Sequence, residues 1–186
     1  MVRLRPELFF RFILLTGFIS IVFIGFFTVR HQTKQELRFD ARAKEQFLTV
    51  MNSKNAIEIS FHPQDTVRLS DSSISIYLFW SPWSDKSIEM LQYVDRKVSV
   101  IDSVEFELIA LSVKESREAV LEVISEIEPT LQQTVHWLEG TQIYGELAVP
   151  GIPTLIIVGV DSSVIESFVG VNNQEFEEWI SASFFN

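Results

Sequence analysis

The chain has 186 residues, of which 15 are lysine or arginine and 25 are aspartate or glutamate, so its formal net charge is −10. It contains no cysteine, which excludes structural disulfides, thiolate metal sites and cysteine nucleophiles within the chain. The acidic balance also argues against a nucleic-acid partner, because binding to a phosphate backbone rests on clustered lysine and arginine.

An apolar segment near the N-terminus predicts a membrane anchor. Residues 1–11 form a short basic tail, and residues 12–29 are an uncharged run of 18 residues between Arg11 and Arg30. A helix of that length nearly spans a hydrocarbon core of about 30 Å. A cleaved signal peptide is the alternative, but its apolar region would be shorter and a small-residue cleavage site would follow closely. We therefore expect one transmembrane helix, with basic residues on both sides that leave its orientation undecided.

Composition and charge change after this span. Residues 30–53 are polar and contain neither glycine nor proline, which predicts a helical juxtamembrane stalk. Residues 1–45 carry eight basic and four acidic side chains, net +4, whereas residues 46–186 carry seven and 21, net −14. An acidic body of this kind stays solvated and is repelled by an anionic membrane surface. We place the folded domain at residues 54–186.

The domain alternates short apolar runs with helical periodicities, a pattern typical of an α/β domain with a central sheet. An edge strand is predicted over 56–61 and a central strand over 74–80, and helical spacing follows at Ile88, Leu91, Val94 and Val98. The later predicted elements are a strand over 104–111, a helix over 115–128, a short helix over 142–149, a hairpin of strands 154–158 and 164–168, and a final helix with an Asn172/Glu175 cap and an apolar face of Phe176, Trp179, Ile180 and Phe184.

The central strand ends in an unusual turn, Trp80-Ser81-Pro82-Trp83-Ser84. Ser81 suits the N-cap of the helix that follows, because its hydroxyl can accept a hydrogen bond from a first-turn amide. Pro82 then falls at the first helical position, where its fixed φ and missing N–H are tolerated. Ser84 falls two positions later, on the same opening turn. The two serines therefore have a structural role that requires no chemistry.

This turn and the order of strands and helices resemble the thioredoxin-like superfamily. The turn is similar to the family's Trp-Cys-x-x-Cys motif, with Ser81 and Ser84 in place of the two cysteines. The later segment Val149-Pro150-Gly151-Ile152-Pro153-Thr154 resembles the family's cis-proline loop, in which Pro153 follows a cis bond, and Gly170 stands where the family has a glycine before its last helix. The resemblance covers roughly residues 55–184. It implies an α/β, thioredoxin-like fold, nearest to membrane-anchored proteins related to cytochrome-maturation and peroxiredoxin-like oxidoreductases.

The loss of both cysteines removes the family's chemistry, because thiol–disulfide exchange needs a thiolate that attacks a sulfur. Ser81 would act as a nucleophile only beside a base, which His62 or His136 would have to supply through folding. A serine that stabilises bound glutathione, as in glutathione-transferase relatives, would need a large helical domain that does not fit after Asn186. Binding without redox chemistry is the remaining reading, since the family's cis-proline loop pairs with extended peptides. The histidines, including His31, lack ligand spacing, so neither a metal nor another cofactor is expected.

We therefore predict a membrane-anchored, redox-inactive thioredoxin-like domain that binds a protein or peptide partner. The alternative is a component of a thiol–disulfide oxidoreductase or cytochrome-maturation system that acts with a partner's thiols. The resemblance to tethered relatives implies that the domain lies on the extracytoplasmic side of the cell membrane. The expected contact residues are Trp80, Pro82, Trp83, Ile152 and Pro153, with Ser81 and Ser84 as degenerate redox positions and no catalytic residue.

Overall fold

The computed structural model describes residues 6–53, 73–170 and 173–185. The chain divides into two compact units, Met1–Arg38 and Phe39–Asn186. Helix α1, Pro6–Ser53, is the first element. The predicted strand over 56–61, Asn172 of the predicted helix cap and the first five residues of the basic tail lie outside the described residues.

The first unit is helical and apolar over most of its described length. The side chains of residues 13–38 are exposed, and they include a window of 18 residues with a mean hydropathy of 2.1 and no buried share. A helix with that length and composition is able to cross a membrane. The structure is therefore consistent with the predicted anchor.

The second unit is built on a sheet of five strands with helices on both faces. Its elements in chain order are β1 Ile74–Trp80, α2 Asp85–Val98, β2 Phe106–Ser112, α3 Arg117–Ile127, a 3₁₀ turn Glu128–Thr130, β3 Val135–Glu139, α4 Thr141–Glu146, β4 Thr154–Val158, β5 Val164–Val169 and α5 Asn173–Phe184.

The strand order in the sheet is β3-β2-β1-β4-β5. Strands β1, β2 and β3 run parallel to one another, whereas β4 is antiparallel to both β1 and β5. The two central strands β1 and β4 are buried along their whole length, which explains their near-continuous apolar sequence. Strand β3 is absent from the predicted elements, and the helix expected over 142–149 is shorter. The other predicted elements that fall within the described residues agree within a few residues.

Alternate residues of the strands point into two separate cores. Ile76, Leu78 and Trp80 of β1 face one core, which α2, α3 and α5 cover. Tyr77 and Phe79 face the other, which α4 and the last part of α1 cover. This alternation is the period-two geometry of a strand buried on both faces.

Part of the predicted stalk lies in the second core. Phe39, Ala43 and Phe47 are fully buried, and they recur every four residues so that they share one face of α1. The ring of Phe47 packs edge-to-face on Tyr77, with 4.8 Å between the ring centroids. Because each buried phenylalanine contributes roughly 1.5–3 kcal/mol, this helix segment is part of the domain core, and the compact unit begins at Phe39 rather than at residue 54.

Candidate functional site

The candidate site lies where the parallel strands end. Trp80, Ser112 and Glu139 are the last residues of β1, β2 and β3, and they are paired side by side in the register. Strand β4 starts at the same edge, because its Thr154 pairs with Phe79 in the antiparallel ladder. The turn that leaves β1 and the proline loop that precedes β4 are therefore neighbours.

The turn after β1 is closed by a hydrogen bond from the N–H of Ser84 to the carbonyl of Ser81, at 3.0 Å. Pro82 and Trp83 are its two central residues, and proline is favoured at the first of these positions. Helix α2 begins only after this turn, at Asp85, with Ser84 as its N-cap. The Ser84 Oγ accepts a hydrogen bond from the Ser87 N–H at 3.3 Å. The prediction that Ser81 caps the helix and that Pro82 opens it is therefore wrong, because Pro82 serves the turn instead.

The N-cap at Ser84 means that Ser84 and Ser87 open the helix, and not Ser81 and Ser84 as the sequence predicted. The pattern Trp-Ser-x-x-Ser occurs twice in overlapping copies, first over residues 80–84 and again over residues 83–87. Only the second copy places its first serine at the N-cap and its second serine in the first turn of α2. Ser84 is half-buried and Ser87 is fully buried, and the Ser87 Oγ has no hydrogen-bond partner among the described residues. Ser81 is also fully buried, with a hydroxyl that no described residue bonds, so it offers no surface contact.

The two tryptophans of the turn have opposite environments. Trp80 is fully buried, and its ring packs edge-to-face on Trp137 of β3 with 5.5 Å between centroids. Trp83 is 65% exposed, although large aromatic side chains usually bury most of their surface. The predicted contact role is therefore excluded for the Trp80 ring in this conformation, whereas Trp83 is available to a ligand.

The proline loop flanks the turn on its other side. The peptide bond between Ile152 and Pro153 is cis. Pro153 is buried, and its carbonyl accepts a hydrogen bond from the N–H of Gly170 at 2.8 Å. Gly170 has φ +61, a conformation that glycine adopts without strain. Ile152 is half-buried, and neither its N–H nor its C=O is hydrogen-bonded within the described residues.

The register of the sheet places this backbone edge beside the turn. Phe79 pairs with Thr154 at the end of the antiparallel ladder, so the turn that follows β1 and the loop that contains Ile152 lie at the same end of the sheet. The exposed Trp83 lies two residues beyond Ser81 in the chain.

Beside the turn and the proline loop, the site has a rim of residues that the sequence did not indicate. The N–H of Val113 donates to the carbonyl of Trp80 at 3.0 Å, which brings the loop after β2 against the turn. Lys114 follows with φ +59, and its N–H donates to the Oγ1 of Thr141 at 2.8 Å. The Lys114 Nζ lies 5.3 Å from the ring centroid of Tyr144, and burial raises the pKa of the Tyr144 hydroxyl. The loop after β2 and helix α4 supply this rim, and α4 is brought there by β3, which the sequence did not predict.

Among the described residues, no histidine is placed at the turn that carries the serine hydroxyls. The Ser84 hydroxyl is engaged as the helix cap. His136 lies on β3, where it pairs with Ile109 three residues before the strand end, a distance of about 10 Å along a strand. His62 lies outside the described residues.

The sheet order, the helix start after β1 and the proline loop before β4 together define a thioredoxin-like fold, as the sequence predicted. Among solved structures, the chain is similar to a secreted disulfide oxidoreductase of Mycobacterium tuberculosis homologous to E. coli DsbE, at 14% identity and a TM-score of 0.52, over 68% of this chain and 93% of that protein. It is also similar to a thioredoxin-like protein from Aeropyrum pernix, at 14% identity and a TM-score of 0.53, over 76% of this chain and 98% of the other.

A thiol:disulfide interchange protein from Bacteroides sp. is similar at 11% identity and a TM-score of 0.50, over 62% of this chain and 76% of that protein. No protein-family model and no curated protein sequence matches the chain. At these identities the similarity establishes the fold, and the absence of cysteine separates this chain from the disulfide chemistry of these neighbours.

Proposed function

We propose that this protein is a membrane-anchored, redox-inactive thioredoxin-like domain that binds an extended segment of a partner protein. The observation that carries the proposal is the backbone of Ile152, which has no hydrogen bond among the described residues, in a loop at the same end of the sheet as the exposed indole of Trp83. A free N–H and C=O next to a sheet are a template for strand addition, in which main-chain hydrogen bonds give affinity and side-chain contacts give specificity.

Trp83 and Pro82 form the apolar side of the proposed contact. Tryptophan is the residue type most enriched among those that dominate binding energy at interfaces. Trp80 is not part of the contact, because its ring is buried against Trp137. Pro153 takes part only through its position in the loop, since its side chain is buried and its carbonyl is bonded to Gly170.

Redox inactivity follows from the side chains at the helix start. In the family that the fold resembles, a cysteine pair three residues apart carries the reaction; we assign its degenerate positions here to Ser84 and Ser87, which open α2. A hydroxyl forms no disulfide, so neither serine can replace a sulfur in exchange. No feature of the described residues favours the alternative in which the domain acts with a partner's thiols.

We further propose that residues 12–29 cross the cell membrane and that the domain lies on the extracytoplasmic side. The exposed apolar window of α1 supports the crossing. The side is supported by the similar fold of the secreted Mycobacterium tuberculosis protein. Protease accessibility of the C-terminus in intact cells tests it, and protection of the C-terminus would contradict it.

The binding proposal is tested with the full-length chain in lipid nanodiscs and a phage-displayed library of random linear peptides. Selected peptides are expected to bind the parent chain, and Trp83→Ala is expected to weaken binding at least tenfold, about the loss of one dominant interface residue. Phe185→Ala is the matched control, because Phe185 is an equally exposed aromatic residue outside the site.

Peptides that bind Trp83→Ala as tightly as the parent, or a library without binders, would contradict the proposal. The same preparation is expected to be inert in insulin reduction, and robust reduction without an added thiol protein would overturn redox inactivity.

A further inference from the structure

Helix α1 contacts the end of α4 through one charged side chain. The Nη1 of Arg42 donates a hydrogen bond to the carbonyl of Leu147 at 3.3 Å, across 105 positions of sequence. Leu147 is the C-cap of α4. Carbonyls at a helix C-terminus have no partner within the helix, and a cationic donor both satisfies them and complements the helix dipole. Arg42 therefore completes the end of α4.

The chain reverses direction immediately after this carbonyl. The N–H of Ala148 donates a hydrogen bond to the carbonyl of Gly145, and the N–H of Val149 donates one to the carbonyl of Tyr144, both at 3.1 Å. Ala148 has φ +48, in the left-handed region where a residue with a Cβ is disfavoured by roughly 1–2 kcal/mol. Helices that end in this way usually place glycine at the position. With alanine there, the turn depends on its surroundings to hold it.

This turn sets the start of the proline loop. Val149, directly after Ala148, is buried in the core that α1 covers. The loop then continues to Pro153, whose carbonyl is held by the N–H of Gly170. The backbone edge of Ile152 lies between these two fixed points. The first fixed point is the Ala148 turn, and Arg42 is the side chain bonded to it from outside the loop.

We infer that Arg42 is a positioning residue for the proline loop: its bond to Leu147 holds the Ala148 turn and thereby sets the backbone edge of Ile152. The inference deepens the proposed function, on which its relevance to binding rests, but the geometry it describes exists without a ligand. The attachment of α1 to the sheet does not require Arg42, because Phe39, Ala43 and Phe47 supply the buried contacts.

The chain offers a matched control for this role. Asp40, two residues before Arg42, accepts a hydrogen bond from the Ser167 Oγ of β5 at 2.9 Å. Ser167→Ala therefore removes a second polar contact between α1 and the sheet without touching α4 or the proline loop. A loss that is only structural would affect both variants alike.

The test is residue-resolved amide hydrogen exchange on the full-length chain in nanodiscs, with rates normalised to the amide of Ile156 in the central strand β4. Arg42→Ala is expected to speed exchange at Ala148, Val149 and Gly170 about tenfold, the effect of losing a hydrogen bond to a charged group. Ser167→Ala is expected to leave these normalised rates unchanged. No ligand is needed, so a negative peptide library leaves this result unaffected.

Rescue separates the turn from other effects of Arg42. In the Arg42→Ala background, Ala148→Gly is expected to restore most of the protection, because glycine adopts φ +48 without help. Parent-like exchange in Arg42→Ala, equal acceleration in Ser167→Ala, or a double variant that exchanges as fast as Arg42→Ala would each overturn the assignment.

Discussion

The side-chain oxygen of Ser84 accepts a hydrogen bond from the backbone N–H of Ser87 at 3.3 Å, which links the two serines that open α2. The opening turn of the helix is thereby satisfied internally by a neutral hydroxyl. In a thiol–disulfide oxidoreductase the corresponding pair would hold the reacting sulfurs. Here the same geometry stabilises a helix start.

Removal of the cap tests which serine starts the helix. Ser84→Ala is expected to lower the free energy of unfolding by about 1 kcal/mol, the usual contribution of an N-cap side chain. Ser81→Ala is expected to be neutral or stabilising, because its buried hydroxyl has no partner to lose. Urea unfolding followed by tryptophan fluorescence measures both. A larger loss of unfolding free energy for Ser81→Ala than for Ser84→Ala would show that Ser81 is the N-cap.

Cysteine labelling tests the exposure of the same positions. The chain has no cysteine, so each single variant reports on one thiol. Ser84→Cys is expected to react with iodoacetamide at least about tenfold faster than Ser81→Cys, since Ser84 is half-buried and Ser81 is fully buried. Both variants should react equally fast in denaturant. A faster reaction at Ser81→Cys in the folded chain would contradict the described turn.

Substitution within α1 tests its place in the core. Phe47→Ala is expected to lower the free energy of unfolding by about 3–5 kcal/mol, because it leaves a cavity beside Tyr77. Leu37→Ala, in the same helix at an exposed position, is the control and is expected to change it by less than about 0.5 kcal/mol. Equal stability of the two variants would show that 39–53 is a stalk, as the sequence predicted.

The pH dependence of stability is expected to report the contact between α2 and α5. Lys97 and Tyr93 donate hydrogen bonds to the Glu177 carboxylate at 2.6 and 2.9 Å. The bond from Lys97, then that from Tyr93, lowers the pKa of Glu177. A group with a lowered folded-state pKa stabilises the fold above its unfolded value, about 4.3, and loses that effect as pH falls through the folded pKa.

The same contact acts in the opposite direction at high pH. The hydrogen bond to Glu177 raises the pKa of Lys97, so the contribution of Lys97 to stability is intact below the unfolded value of about 10.4 and is lost as pH rises through the folded pKa.

Urea unfolding at a series of pH values measures the contact. As pH is lowered, the urea midpoint is expected to fall less steeply for Glu177→Gln than for the parent. Glu178→Gln, a neighbouring neutralised carboxylate, should follow the parent. Parallel curves for Glu177→Gln and the parent would refute the coupling.

Local patterns were sufficient to predict most of the domain. The apolar run over 74–80, the spacing of Leu91, Val94 and Val98, and the hairpin around Asp161 each reflect burial along a single element, which periodicity reports directly. Strand β3 was missed because it is short and its apolar residues are flanked or interrupted by the partly exposed His136 and Glu139. The rim of Lys114, Thr141 and Tyr144 depends on that strand, so it was missed as well.

The serine pair at the helix start was predicted three residues too early in the sequence, for a different reason. The sequence contains two overlapping Trp-Ser-x-x-Ser patterns, and either could open the helix, because Pro82 suits both the first position of a helix and the second position of a turn. The hydrogen bonds from the Ser84 N–H to the Ser81 carbonyl and from the Ser87 N–H to the Ser84 Oγ show that the second pattern opens it. Phe39, Ala43 and Phe47 posed a similar problem, since their spacing identifies a helix face but not the sheet that this face covers.

The burial of Phe39, Ala43 and Phe47 constrains where a protease could cut α1 and leave the folded unit whole. A cut anywhere in 39–53 would leave the soluble product without part of one of its two cores and with Tyr77 uncovered. Cleavage before Phe39 would leave both cores complete. The exposed and the buried parts of one continuous helix therefore differ in what a cut would cost the fold.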